Sequence, residues 1–150
     1  MNIAGLEYNL PHKALEIYLS GCCPPFCENC HNPELWDFNI GKNWKDWLDK
    51  ILKKVDDEMV ERVWILGGEP LDQDRQELME LLSHIKKEIW LWTKQEFSYH
   101  IVNEFHDIVD YIKFGKYDLN LPGYLDTNHN IKLSSNNQVI IDVKKGIDIV

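Results

Sequence analysis

The sequence predicts a single α/β domain, residues 1–150, built on a mostly parallel sheet. Short apolar, strand-like runs alternate with longer runs whose apolar residues recur at helical spacing, which is the order of repeated β-α-β units. At 150 residues the chain is long enough for one proper core. Turn residues and polar stretches close the strand-like runs, so the segments able to carry a site gather at the C-terminal ends of the strands.

Residues 1–12, with Pro11 near their end, read as an extended lead-in. Ala14 to Ser20 alternates and reads as a strand, with Leu15, Ile17 and Leu19 on one side and Glu16, Tyr18 and Ser20 on the other. Pro24, Pro25 and Pro33 keep the following segment out of helix. A helix is expected over 43–58, where Trp44, Trp47, Leu48, Ile51, Leu52 and Val55 form one stripe. Burying each such side chain is worth roughly 1.5–3 kcal/mol, so the stripe reads as core. Residues 60–66 read as a strand, apolar after Arg62 as a buried parallel strand is, and run into Gly67-Gly68-Glu69-Pro70. Then come a helix over 72–87, a strand over 89–93, a helix over 98–109, a strand over 111–114, a polar loop over 117–137 and a last strand over 139–143.

Bulk properties exclude several classes. The net charge of −9 argues against a nucleic-acid partner, which calls for a basic face. No apolar run approaches the roughly 18 residues of a membrane span. Without a secretion signal, and with clustered thiols that need reducing conditions, the expected location is cytoplasmic.

All four cysteines fall within Cys22-Cys23-Pro24-Pro25-Phe26-Cys27-Glu28-Asn29-Cys30. Such clustering points to metal or redox chemistry. A structural zinc site commonly uses two separated pairs, and no second pair follows Cys27 and Cys30. A disulfide between the adjacent Cys22 and Cys23 is a poor bridge. An iron–sulfur cluster held by three thiolates is the third reading, which leaves one iron open to a ligand, and from the cysteines alone zinc stays open beside it. Gly67-Gly68-Glu69-Pro70 is a plain turn on the simplest view. On a functional view, the two glycines allow close backbone approach and Glu69 accepts from an ammonium group.

Cys27-x-x-Cys30-His31-Asn32-Pro33-Glu34-Leu35-Trp36-Asp37-Phe38, followed by Gly67-Gly68-Glu69-Pro70, resembles the radical S-adenosylmethionine superfamily. Within it the chain is similar to the activating enzymes of anaerobic ribonucleoside-triphosphate reductase. Leu91-Trp92-Thr93, the run Asp110 to Asp118 and the run Ser134 to Ile140 extend the likeness through most of the chain. The resemblance implies a partial (β/α) barrel, a 4Fe-4S cluster and S-adenosyl-L-methionine as cofactors. It implies reductive cleavage to a 5′-deoxyadenosyl radical and a glycyl radical made on a large partner, anaerobic ribonucleotide reductase, with a flavodoxin- or ferredoxin-type electron donor. It also implies that Gly67, Gly68 and Glu69 hold the methionine ammonium, that Thr93 lies near the ribose, and that Asn137 and Gln138 belong to the site.

Cys22, Cys27 and Cys30 are the expected metal ligands, with Cys23 the alternative to Cys22. Strand alternation favours Cys22, while the family's usual three-residue spacing favours Cys23. His31 and Asn32 are expected to shape the loop. The family often carries an aromatic residue just before the third cysteine, near the adenine; Asn29 stands there. Activation of another glycyl-radical enzyme, a small-molecule radical enzyme, and a zinc-stabilised interaction module are the competing readings.

Overall fold

The computed structural model describes residues 1–27, 30 and 32–145; Glu28, Asn29, His31 and residues 146–150 lie outside the described residues. In chain order the elements are β1 (Asn2–Asn9), β2 (Ala14–Leu19), β3 (Lys42–Asn43), α1 (Trp44–Val55), β4 (Arg62–Gly67), α2 (Arg75–Ser83), β5 (Glu88–Trp92), α3 (Tyr99–Phe105), β6 (Tyr111–Phe114), β7 (Tyr124–Asp126), β8 (Ile131–Leu133) and β9 (Val139–Asp142). Single 3-10 turns occupy Pro33–Trp36 and Pro70–Asp72.

One seven-stranded sheet runs in the order β3-β1-β2-β4-β5-β6-β9. Its four central strands, β2, β4, β5 and β6, are parallel, while β1, β3 and β9 pair antiparallel at the flanks. Neighbours in the parallel part follow one another along the chain, and crossovers of the usual right hand then all return on one face. Side-chain alternation agrees. In β4, Val63 and Ile65 join the core that holds Ile51, Leu78, Leu81 and Phe105 from the helices, whereas Trp64 joins a second core with Trp90, Ile131 and Leu133. Helices therefore cover one face, and the β7–β8 hairpin covers the other.

Each helix begins where a short polar side chain takes up a free backbone donor. Asn43 accepts from the Lys45 amide at 3.0 Å, Asp74 from the Glu77 amide at 3.0 Å, and Ser98 from the Ile101 amide at 3.4 Å.

The expected α/β class with a mostly parallel sheet is what forms, but three expectations need correction. The extended lead-in is a paired strand, β1, whose register on β2 runs from Ile3 and Leu19 to Asn9 and Ala14, with a shift between Ile3 and Gly5. Residues 117–137 are not all loop, because Tyr124–Asp126 pairs with Ile131–Leu133. All three helices are also shorter than expected; α1 still spans its whole apolar stripe, but α2 and α3 end before Ile85 and Val109, which continue theirs. After α3 the chain turns, with the Ile108 and Val109 amides bonded to the Phe105 carbonyl, and Val109 still enters the core. Apolar periodicity therefore outlasts the helix.

Candidate functional site

The loop carrying the cysteines leaves β2 through Ser20 and Gly21. It is stitched at once to the turn after β4. The Gly68 amide donates to the Leu19 carbonyl and the Glu69 amide to the Gly21 carbonyl, both at 2.8 Å. A Cβ on Gly68 would lie 2.3 Å from the Gly21 oxygen, and Gly67 sits at φ +112° against the backbone of Leu19. The glycine pair is thus demanded by the close crossing of two protein segments. Gln73 reinforces the crossing: its buried Nε2 donates to the carbonyls of Ser20 at 2.9 Å, Glu69 at 3.2 Å and Gly21 at 3.3 Å.

Above this crossing lies a cavity of about 260 Å³ at the C-terminal ends of β2, β4, β5 and β6. Its walls bring together Cys22, Cys27 and Cys30, the Gly67–Glu69 turn, Thr93, and Gln138. Cys22 is buried, whereas Cys23 is exposed, lies off the cavity and donates its amide to Asp72 Oδ2 at 2.7 Å. All four cysteines are free thiols, so the disulfide alternative is not realised. Trp36 also lines the cavity and stacks on Phe26 with ring centroids 4.0 Å apart, an aromatic surface on the cysteine loop itself. Asn32 reaches the wall, while His31 and Asn29 fall outside the described residues.

Glu69 is almost fully enclosed. Its Oε2 accepts from the Leu71 amide at 2.9 Å and Thr93 Oγ1 at 2.7 Å, and its Oε1 from the Lys94 amide at 2.7 Å. Burial pushes its carboxyl up, and these donors pull against that rise. Two carboxylate oxygens offer about four acceptor positions, so capacity remains for one further donor. Glu69 is therefore a structural bridge from the β4 turn to the β5 end as well as a binding candidate. Thr93 is held by the same bridge, and its hydroxyl also accepts from the Gln95 amide at 3.1 Å.

Gln138 and Asn137 part company. Gln138 is buried on the cavity wall, its Oε1 accepting from the Ser134 and Ser135 amides at 3.0 and 3.2 Å. Asn137 donates from Nδ2 to the Lys116 carbonyl at 2.8 Å, beside a separate groove formed with residues 116–120. The structure does not bring Asn137 into the cavity, because it lies in the turn before β9 and its side chain is tied to the Lys116 carbonyl.

Two lysines carry weight that the sequence reading did not assign. Lys113 lines the cavity from the inner face of β6; its ammonium donates to the Gly115 carbonyl at 3.0 Å, and burial lowers its pKa to about 8. Lys94 reaches from the β5 end to Cys22 Sγ at 3.1 Å, and burial pushes the Cys22 thiol up while Lys94 partly offsets that rise. The signal for Lys113 was present: a lysine inside an apolar strand, Tyr111-Ile112-Lys113-Phe114, needs a polar destination.

The donor set fits an iron–sulfur cluster. Among the described residues no three His, Cys, Asp or Glu side chains gather around one ion-sized point. Three thiols instead line one wider cavity, the arrangement suited to a cluster that takes one thiolate per iron. Two cations beside them offset the negative charge. Sequence comparison agrees: residues 13–141 match the 4Fe-4S single cluster domain family, and the chain belongs to it. Its particular likeness is to the anaerobic ribonucleoside-triphosphate reductase-activating protein of Enterobacteria phage T4. The two are 31% identical over 121 residues, covering 76% of this chain and 77% of that protein. No solved structure matches. Among the described residues no helix is long and apolar enough to cross a membrane.

Proposed function

We propose that this chain is an iron–sulfur activating enzyme of the radical S-adenosylmethionine type, acting on anaerobic ribonucleoside-triphosphate reductase. The observation that carries the reading is the shared cavity, where three thiols of the 22–30 loop stand beside the enclosed Glu69 carboxylate and the Lys113 ammonium. The similarity to the phage T4 activating protein names the partner class. The sequential order of the parallel strands, with every helix on one face, supports a partial (β/α) barrel.

Cys22, Cys27 and Cys30 would hold a 4Fe-4S cluster. When bound, the cluster supplies the electron that splits the sulfonium of S-adenosyl-L-methionine, so that a 5′-deoxyadenosyl radical can take hydrogen from a glycine of the reductase. The chain's own residues prepare that event. Glu69 keeps one acceptor position for an ammonium, and Lys113 presents a buried cation to a carboxylate, so the pair matches the two charged ends of an amino acid. Gly67 and Gly68 keep the wall thin. Thr93 and Gln138 line the space left for the nucleoside, and Trp36 offers its ring to the base. The enclosed walls restrict water around the reacting groups once a partner loop covers the mouth. The free thiols suit a cytoplasmic location, with a flavodoxin- or ferredoxin-type donor.

The test is anaerobic reconstitution, followed by iron analysis and incubation with S-adenosyl-L-methionine and reductant, with and without the reductase. The expected result is about four irons per chain, slow cleavage alone, and a glycyl radical on the larger chain by electron paramagnetic resonance. A colourless protein that binds zinc tightly would favour the interaction-module alternative. A cleaving enzyme that leaves no radical on the reductase would move the activity to another partner.

A further inference from the structure

We infer that Lys94 is a positioning residue that pins the cysteine loop and raises the reduction potential of the cluster held there; this rests on the cluster reading above. Lys94 follows the C-terminal end of β5, and its backbone amide is fixed on Glu69 Oε1 at 2.7 Å. From there its side chain crosses to the cysteine loop. Nζ lies 3.1 Å from Cys22 Sγ and 3.2 Å from the Pro25 carbonyl, and it also bonds the Cys23 carbonyl. All three N–H donors of one ammonium are thus spent on one loop. Asp72 completes the arrangement. Its Oδ2 lies 3.7 Å from Nζ and accepts the Cys23 amide at 2.7 Å. The Phe26 ring lies beneath the ammonium, 5.9 Å from Nζ to its centroid.

This is not a surface ion pair, which is worth little because water screens it. The Lys94 side chain is 16% exposed and the Asp72 side chain 15%. Three of the Lys94 partners are a sulfur and two carbonyls of residues 22–25, which lie in no helix or strand. One residue therefore ties the Glu69 subsite to the cysteine loop, its backbone serving the first and its side chain the second. Cys22 can keep this contact while bound to iron, because a thiolate sulfur has lone pairs beyond the one it gives the metal. A positive charge and an N–H donor at a ligand sulfur favour the state that carries the additional electron, so they raise the potential.

The test compares the wild type with Lys94→Met, which keeps length and loses charge, and Lys94→Arg, which keeps charge. Each is reconstituted anaerobically and titrated redox-metrically, with the reduced cluster followed by electron paramagnetic resonance. Each metal-free protein is also examined by amide hydrogen exchange. Lys94→Met is expected to have a lower midpoint potential than the wild type, with Lys94→Arg between them. In metal-free Lys94→Met, the amides of Cys22, Cys23, Phe26 and Cys27 should exchange roughly tenfold faster, while those of β4 and β5 stay unchanged. If Lys94→Met takes up no cluster, faster exchange confined to the loop still supports the inference. A wild-type cluster together with unaltered potential and loop exchange in Lys94→Met overturns the inference and leaves the cluster reading standing. A wild type that takes up no iron overturns both.

Discussion

Lys113 points inward from a strand whose other face, through Ile112 and Phe114, is packed into the helix-side core. Burial lowers its pKa from 10.5 to about 8, so at neutral pH the folded protein holds a charge that its surroundings disfavour. Between about pH 8 and 10.5 the unfolded chain binds this proton and the folded chain does not, so the residue's contribution to stability rises with pH through that window. Lys113→Met removes the buried charge at similar length. At neutral pH it should stabilise the metal-free protein by about 1–3 kcal/mol, and this advantage should shrink as pH climbs through the window. If the proposed function holds, S-adenosyl-L-methionine binding to the reconstituted variant should weaken, since the cation proposed to face the ligand's carboxylate is gone. Denaturant melts of both proteins across that pH range, with ligand titrations, read the two effects separately. A variant less stable than the wild type at neutral pH would mean that the ammonium is well satisfied where it lies, and that its role is structural.

At the scale of the element, the cysteine loop decides which neighbouring thiol faces the cavity. The sequence reading extended β2 alternation as far as Cys22, and Cys22 does line the cavity, but the physical cause differs. Regular alternation stops at Gly21, whose φ of +110° and amide bond to Leu35 turn the chain. Asp72 on the Cys23 amide and Lys94 on Cys22 Sγ then hold the two residues apart. Cys22→Ser is accordingly expected to lose the intact cluster on reconstitution, and Cys23→Ser to keep it, as read by iron content and visible absorption. The reverse outcome would move the ligand to Cys23. The same contrast explains what the sequence could disclose. The central strands, the helices and the strand-end loops were legible because each is signalled within its own stretch by run, stripe or turn residue. β1 and the β7–β8 hairpin were not. Their apolar signal is weak, and their pairing is settled by β2 and by the inner face of the sheet, far away in sequence. Gln73 and Lys94 stayed silent for a related reason, because their partners are carbonyls and a sulfur that only the folded crossing brings near.

The whole molecule is one sheet with a core on each face, and the two cores should answer differently to the same truncation. Leu81 on α2 is fully enclosed in the helix-side core, which includes residues of β2, β4, β5 and β6. Leu81→Ala is expected to lower global unfolding free energy by about 2–5 kcal/mol. The cavity lies beyond the sheet, so cofactor affinity of the remaining folded protein should hold. Leu133 is equally well buried, at 2% exposure, but it belongs to a three-residue strand in the inner core and also lines the cavity. A two-stranded hairpin has little stability of its own; β7 and β8 hold their places through contacts such as Ile131 and Leu133 against Trp64 and Trp90. Removing Leu133 can be relieved by local detachment of the hairpin rather than by unfolding of the sheet. Leu133→Ala should therefore cost less in a global melt than Leu81→Ala. It should also speed amide exchange chiefly over residues 124–133 and weaken S-adenosyl-L-methionine binding by the reconstituted protein. If both variants lower the melt equally, and exchange rises evenly along the chain in both, the hairpin folds as one unit with the sheet. The inner face is then as firmly built as the outer.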